Sequence, residues 1–187
     1  MFEAATAELA ESGYAGTSLD RIAARSGVSL STLYRRWGTL DRLIRELVDE
    51  STVPLPDEPT GDLERDLTTV ARAVLTLSQD PVHHSWMDAL VSAAVHDPEA
   101  RAMLSHIIAG RIERVSVLMT PAVEALGLAE PVDTRELARL IAAPFYYRTY
   151  ISGEPHTERL LERTVARVAA AVRAGAVPVE RDGAEPA

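Results

Sequence analysis

The sequence contains no cysteine and no lysine, and aromatic residues occupy only 5% of its 187 positions. Without cysteine the chain can form no disulfide bond, thiolate nucleophile or cysteine-ligated zinc site. No apolar run approaches the roughly 18–20 residues that a membrane-spanning helix needs. The N-terminus also lacks the basic start and continuous apolar stretch of a signal peptide. We therefore expect a cytoplasmic protein with no membrane partner, and 47% hydrophobic residues are enough for a folded core.

The charge of the chain is distributed unevenly. Its net value of −9 argues at first against nucleic-acid binding. Between Thr17 and Arg45, however, six arginines accompany only two aspartates, so this segment is basic and the remainder of the chain is strongly acidic. All nineteen basic residues are arginine, which we attribute to a compositional bias of the genome. A basic segment on an acidic body predicts a protein that touches phosphates with one end only.

Helical periodicity dominates the chain. Apolar residues recur at spacings of three and four, and no convincing alternating run predicts a strand. The sequence therefore predicts an all-α protein of about nine helices, whose limits are set by glycines, capping residues and prolines. Pro81 is expected to interrupt the helical pattern between the fifth and sixth of them. The predicted helices cover about residues 2–12, 18–26, 29–37, 41–50, 62–77, 84–96, 98–125, 133–152 and 157–174.

Residues 17–37 have the pattern of two short helices joined by a tight turn. Ala23 is small enough for the helices to cross closely, and Gly27 can adopt the positive φ that a sharp turn needs. Val28 and Leu33 are expected to fill the space between the helices. The outer face of the second helix is then free to enter a major groove of DNA.

That outer face combines hydroxyl groups with positive charge. Its first residues would reach base edges, its guanidinium groups would reach phosphates or guanine edges, and the preceding helix N-terminus would bind a phosphate. We expect Trp37 to pack in the core against the first helix, and Arg21 and Arg25 to form a solvated face. The predicted DNA-binding residues are Thr17, Ser18, Ser29, Leu30, Ser31, Thr32, Tyr34, Arg35, Arg36 and Arg42.

Residues 2–47 resemble the N-terminal signature of TetR-family regulators. The matching positions are Gly13-Tyr14, Thr17-Ser18, Ile22-Ala23, Gly27-Val28-Ser29, Leu33-Tyr34-Arg35-Arg36-Trp37 and Leu43. The resemblance implies a three-helix, homeodomain-like DNA-binding unit, a connecting fourth helix and a helical C-terminal domain. It also implies a homodimer that reads a palindromic operator and in which an inducer moves the two DNA-binding heads apart. We expect a repressor.

Two features depart from the family pattern. A lysine that meets a phosphate is usual at position 40, where this chain has Leu40, and Arg42 could take over that contact. No basic arm precedes the first helix. We therefore expect either that no contact is made there or that the true start lies upstream of Met1.

The domain organisation follows from the prolines at positions 54, 56 and 59, which predict a linker over residues 51–61. We predict a helix-turn-helix DNA-binding domain with its connecting helix over residues 1–50. A helical ligand-binding and dimerisation domain would follow over residues 51–176. Residues 177–187 would form a flexible tail.

The C-terminal part is expected to hold both the dimer interface and a ligand pocket. Its last two long helices, about 133–152 and 157–174, would pair with their dimer mates in a four-helix bundle. A pocket between helices needs apolar walls and a few polar anchors. The aromatic, apolar and arginine residues given at the end of this paragraph would suit a flat acidic or phenolic inducer. Each residue of the set is alternatively explained by core or interface packing. The predicted pocket residues are Trp86, Met87, Met103, His106, Ile107, Arg111, Phe145, Tyr146 and Tyr147.

The histidines raise the alternative of a metal site. His83 and His84 would point about 100° apart on one helix, and no His-x3-His pair exists, so we predict neither a metal nor a cofactor. No Ser/His/Asp order, glycine-rich phosphate loop or paired-carboxylate pattern indicates catalysis. Two rival functions stay open. One is a helical dimer that binds a hydrophobic small molecule and has lost useful DNA binding, and the other is a metal-dependent helical enzyme.

Overall fold

The computed structural model describes residues 1–50, 55–56 and 58–177. Within these ranges the chain forms nine α-helices, one π-helical turn at Arg148–Ser152 and no β-strand, which confirms the all-α prediction. The α-helices are α1 (Phe2–Gly16), α2 (Leu19–Ser26), α3 (Leu30–Arg36), α4 (Leu40–Glu50), α5 (Leu63–Leu77), α6 (Pro81–Ala94), α7 (Pro98–Glu124), α8 (Thr134–Tyr147) and α9 (Glu158–Arg173).

The helices group into two compact units. The first unit comprises Met1–Val53 with Gln79–Gly110, and the second comprises Pro54–Ser78 with Arg111–Ala187. Helix α6 and the first half of α7 therefore group with the N-terminal helices, and the predicted division at residue 51 stays a prediction. Residues 51–54 and 57 of the predicted linker, and 178–187 of the predicted tail, lie outside the described residues.

Side-chain caps fix the starts of most helices. Each capping side chain accepts a hydrogen bond from a backbone N–H of the first turn, which would otherwise lack a partner inside the helix. Such caps begin eight of the nine helices in the described part of the chain, at Ser18, Ser29, Thr39, Asp62, Asp80, Asp97, Asp133 and Thr157.

Two helix limits differ from the prediction. Pro81 begins α6 ahead of the predicted start at about His84, because its fixed φ suits the first turn and its missing N–H would have no helical partner there. The predicted break of the first helix at Gly13 is present, since its φ of 67° and ψ of 176° are not helical. Helical structure resumes after this kink, so that α1 as a whole extends to Gly16.

The first unit buries the inward faces of α1 to α4. Leu9, Ile22 and Leu33 lose nearly all their solvent-accessible surface. Trp37 is 4% exposed, and its ring meets the ring of Phe2 edge-on at a centroid distance of 6.2 Å. The predicted packing of Trp37 against the first helix is therefore confirmed. Helix α1 also packs along α6.

The second unit has its core between α5, α8 and α9, together with the end of α7. Helix α8 contributes Leu137, Ile141 and Phe145, which follow one another at intervals of four residues and are fully buried. Burial of one such side chain contributes about 1.5–3 kcal/mol. None of the described helices is long and apolar enough to cross a membrane.

The turn after α2 gives a stability prediction. Gly27 has a φ of 70°, so Gly27→Ala forces a Cβ into the left-handed region and should destabilise the first unit by about 1–2 kcal/mol. Gly110→Ala is the matched control, because Gly110 lies in the regular part of α7 with open space around a Cβ. It should stabilise by about 0.5–1 kcal/mol. Thermal unfolding checks both, and equal effects of the two substitutions would contradict the prediction.

Candidate nucleic-acid interface

The turn between α2 and α3 positions the exposed helix of the first unit. Gly27 ends α2 in the left-handed conformation and donates its N–H to the carbonyl of Ala23 at 3.0 Å. Ile22 and Leu33 are fully buried on either side of the turn, and Ala23 is nearly so. Val28 is half-buried. The predicted helix-turn-helix geometry is therefore present, and it fixes which face of α3 points outward.

Three hydroxyl groups gather at the start of α3. Ser29 Oγ accepts the N–H of Thr32 at 3.3 Å and lies 2.8 Å from Thr32 Oγ1. Ser31 Oγ lies 3.1 Å from the same Ser29 oxygen. Hydroxyl groups both donate and accept, so this cluster can serve phosphate oxygens and base edges alike.

The outward face of α3 carries Ser31, Tyr34 and Arg35, which stand at positions i, i+3 and i+4 of one helix face. The Tyr34 side chain is 52% exposed, an unusual position for a large aromatic residue. Arg35 is exposed and forms no ion pair within the described part of the chain. The opposite face buries Leu33 and ends at Trp37. One helix thus has an apolar face in the core and a polar, cationic face in solvent.

Two arginines of α2 are held by carboxylates of α1. Glu8 is only 2% exposed, and its carboxylate accepts hydrogen bonds from Ser12 Oγ at 2.9 Å, from Arg21 Nε and from Arg25 Nε at 3.1 Å. Glu11 accepts a further hydrogen bond from Arg25 Nη1 at 2.9 Å. The predicted solvated face of Arg21 and Arg25 is therefore a network of ion pairs that locks α2 onto α1.

This network shifts the ionisation of the carboxylates. Burial disfavours the charged form of Glu8, but the hydrogen bonds from Ser12, Arg21 and Arg25 outweigh it and hold the pKa of Glu8 below its ordinary value. The hydrogen bond from Arg25 likewise lowers the pKa of Glu11. Both carboxylates are therefore ionised at neutral pH and neutralise the two arginines.

A second carboxylate holds the end of α3. Glu46 of α4 accepts a hydrogen bond from Arg36 Nη2 at 2.5 Å through one oxygen and from Trp37 Nε1 at 2.7 Å through the other. The Arg36 guanidinium also lies 4.5 Å from the centre of the Trp37 ring. The two hydrogen bonds lower the pKa of Glu46. Arg36, predicted to bind DNA, is thus directed toward α4.

The start of α2 is more enclosed than predicted. Thr17 is buried, its hydroxyl donates to the carbonyl of Gly13 at 2.7 Å, and its N–H donates to the carbonyl of Tyr14 at 3.2 Å. Ser18 is half-buried, and its oxygen caps α2. The phosphate contacts of these two residues stay predictions, and both donors of Thr17 already have partners inside the unit.

Helix α4 begins beside this surface. Thr39 Oγ1 accepts the N–H of Arg42 at 3.3 Å and caps the helix. Arg42 is exposed and forms no ion pair with a described residue, whereas Leu40 is half-buried. Tyr14 donates its hydroxyl to Asp41 Oδ1 at 3.0 Å, and burial together with this hydrogen bond raises the pKa of Tyr14. Arg42 is therefore exposed, and its phosphate contact in place of the usual lysine at position 40 stays a prediction.

Sequence reasoning missed the carboxylates Glu8 and Glu46. Glu8 stands within the buried stripe of α1, between Ala5 and Leu9 at helical spacing, and an acid in an apolar stripe indicates a paired charge. Glu46 lies beside the buried Leu47 of α4, where the signal is weaker.

The predicted pocket residues divide between the two units. In the first unit Trp86, Met87, Met103 and Ile107 are buried, and His106 is exposed. The Trp86 ring meets the ring of His83 edge-on. This pattern agrees with core packing for the four apolar residues, and their role toward a ligand stays a prediction.

In the second unit, two predicted pocket residues come together. Arg111 Nη1 donates to the hydroxyl of Tyr146 at 3.2 Å, and the Tyr146 ring stacks on the ring of Tyr150 at a centroid distance of 6.0 Å. Phe145 is fully buried in the core, whereas Tyr147 is exposed. Among the described residues of this unit, Arg111 and Tyr146 are thus the predicted polar pocket residues that lie in contact.

No group of three metal-ligating side chains occurs among the described residues.

Comparisons with known proteins agree with this geometry. The family model described as bacterial regulatory proteins of the tetR family matches residues 2–47, and the tetracyclin repressor-like C-terminal domain matches residues 55–168. The HTH-type transcriptional regulator AqdR of Rhodococcus erythropolis is 32% identical over 85 residues, which are 44% of this chain and 40% of that protein.

Solved structures share the fold. Salmonella enterica GusR superposes with a TM-score of 0.67 at 18% identity, over 92% of this chain and 93% of that chain. The multidrug binding protein EbrR complexed with imidazole superposes with a TM-score of 0.59 at 18% identity, over 97% of this chain and 94% of that chain.

The Glu8 network predicts a dependence of stability on pH. A carboxylate whose pKa is lowered by folding stabilises the fold above its unfolded pKa, about 4.5, and this contribution is lost as the pH falls through the lower folded value. Glu8→Gln should therefore lower the unfolding temperature at pH 7 and flatten its decline between about pH 5 and 3. Glu3→Gln is the control, because exposed Glu3 pairs with no arginine among the described residues. An equally steep decline in Glu8→Gln and the wild type would refute the role of the network.

Proposed function

Because the chain belongs to the TetR family of DNA-binding transcriptional regulators, we propose that it is a ligand-responsive repressor. It binds a palindromic operator as a homodimer and leaves it when a small molecule binds the C-terminal domain. The observation that carries the DNA-binding part is the outward face of α3, where Ser31, Tyr34 and Arg35 stand together above a buried apolar face.

The proposed contacts divide by chemistry. Ser31, Tyr34 and Arg35 lie on the exposed face and would read base edges, since a guanidinium can bind guanine O6 and N7 together. Ser29 and Arg42 are exposed at the starts of α3 and α4 and would bind phosphates, which fix the position of the head without reading sequence. Two recognition helices of a dimer would enter successive major grooves about 34–36 Å apart.

The dimer would form through α8 and α9. Helix α8 has a second apolar stripe besides its buried one, since Leu140 and Tyr147 are exposed large apolar residues, and Ile151 in the π-helical turn is 72% exposed. Helix α9 exposes the small side chains of Ala166 and Ala170, which permit close approach of a partner helix. A repeated apolar stripe on an exposed helix face favours an isologous two-fold interface.

The ligand site would involve Arg111 and Tyr146, the pair that the second unit assembles. A cation beside phenol rings fits a flat compound with an acidic or phenolic group. EbrR, which has the same fold, is a multidrug binding protein. The ligand must bind the released state more tightly than the DNA-competent state, because equal affinity for both would shift nothing.

The DNA-binding proposal is tested by selecting genomic DNA fragments at about 50 mM salt, where phosphate contacts are strongest. The wild type should enrich one or a few palindromic sites, and the Tyr34→Ala/Arg35→Ala double variant should lose them. Arg114→Ala removes an exposed arginine from α7 and is the control, which should retain the sites. Retention of the same sites by the double variant would contradict readout by α3. Absence of enrichment with the wild type would favour a ligand-binding dimer.

The dimer proposal is tested by sedimentation. Leu140→Asp places a charge in the proposed interface, where an unpaired carboxylate is costly, so the dimer dissociation constant should rise at least about tenfold. Val95→Asp introduces the same charge at an exposed valine of the first unit and should leave the dissociation constant unchanged. If Leu140→Asp remains as dimeric as Val95→Asp, the interface lies elsewhere.

A further inference from the structure

The Glu46 carboxylate binds two neighbouring residues at once. It joins Arg36, the last residue of α3, to the nearly buried Trp37. One oxygen accepts from Arg36 Nη2 and the other from Trp37 Nε1. Trp37 is nearly buried, so its indole N–H has a fixed direction and holds the carboxylate in place. The Arg36 guanidinium is therefore held by the Glu46 carboxylate and by the face of the Trp37 ring.

We propose that Glu46 is a positioning residue that withholds Arg36 from the DNA backbone and thereby limits the sequence-independent affinity of the head. The inference rests on the proposed DNA-binding role of α3. It differs from the sequence-based prediction, in which Arg36 contacts DNA directly.

The geometry favours withholding over a simple structural role. The Arg36 side chain is 59% exposed at the end of the outward face, so a rotation of its flexible stem would release the guanidinium from Glu46 without unpacking the core. A charge-assisted hydrogen bond and a ring face oppose that rotation. The neighbouring Arg35 has no such partner among the described residues. Of these two adjacent arginines, Arg35 is therefore free to bind DNA, whereas Arg36 must first leave Glu46.

The functional consequence concerns binding to DNA outside the operator. Contacts to phosphates add affinity for every sequence equally, whereas contacts to base edges distinguish the operator. An additional free arginine at the end of α3 would therefore raise the affinity for operator and non-operator DNA by the same factor and would hold more of the protein on the large excess of non-operator sequence. By occupying Arg36, Glu46 limits this sequence-independent binding.

The test compares the salt dependence of duplex binding in variants of the full chain. Glu46→Gln retains an acceptor for the Trp37 N–H but removes the charge that holds Arg36. Its affinity for a duplex without an operator should rise several-fold at about 50 mM salt. The slope of log affinity against log salt should steepen by about 0.9 for each bound head, the value of one added phosphate contact. Glu46→Asp keeps the net charge but shortens the reach, and should shift both quantities in the same direction.

Two further variants separate withholding from a general loss of negative charge. Asp20→Asn removes one exposed acid from α2 of the same unit and should leave the slope near the wild-type value. In an Arg36→Ala background, Glu46→Gln should raise neither the affinity for the non-operator duplex nor the salt slope, because no arginine is present at position 36 to be released. Tryptophan fluorescence and thermal unfolding establish that each variant is folded.

The outcomes separate the two proposals. If the wild type binds DNA but Glu46→Gln and Glu46→Asp bind with an unchanged or shallower slope, the withholding role of Glu46 is wrong. An equal gain in the Arg36→Ala background would also overturn it. If the wild type binds no duplex at all, the proposed DNA-binding role of α3 fails first.

Discussion

The helix-turn-helix depends on carboxylates that pair with its arginines from neighbouring helices. An ionised carboxylate as enclosed as that of Glu8 is costly unless hydrogen-bond donors surround it, and Arg21, Arg25 and Ser12 supply those donors. Because both arginines of α2 must reach the same carboxylate of α1, α2 has one register on α1. That register buries Ile22 and sets the direction of α3 after the turn. The packing of α2 on α1 therefore determines which face of α3 points outward.

The same pairs show which charges of this acidic protein are left for DNA. Three of the six arginines in the basic segment pair with carboxylates within the first unit, so the positive charge free for phosphates is smaller than the sequence suggests. Of the other three, Arg35 on α3 and Arg42 on α4 are exposed, and Arg45 on α4 is half-buried. Few but well-placed cations favour base readout over indiscriminate attraction, since each free charge adds affinity for any DNA sequence.

Local signals made most of the fold predictable, and long-range pairing made the rest unpredictable. The caps at Ser29, Asp133 and Thr157 and the left-handed Gly27 each follow from a few adjacent residues. The partners of the arginines do not, because Glu8 and Glu11 precede the basic segment and Glu46 follows it, so a charge count over residues 17–45 omits all three. The ion pairs exist only once α1 and α4 have packed against the motif.

The packing of the first unit suggests how the proposed ligand response would reach the recognition helix. Helix α6 lies outside the DNA-binding segment in sequence, yet it packs along α1. The carboxylates of α1 hold α2, and Gly27 joins α2 to α3 without a flexible loop. A displacement of α6 would therefore reach α3 through packed apolar surfaces and ion pairs, each with one preferred arrangement. In the proposed ligand response, a ligand that favours a displaced α6 would change how α3 meets the groove, because α1, α2 and α3 would then move together.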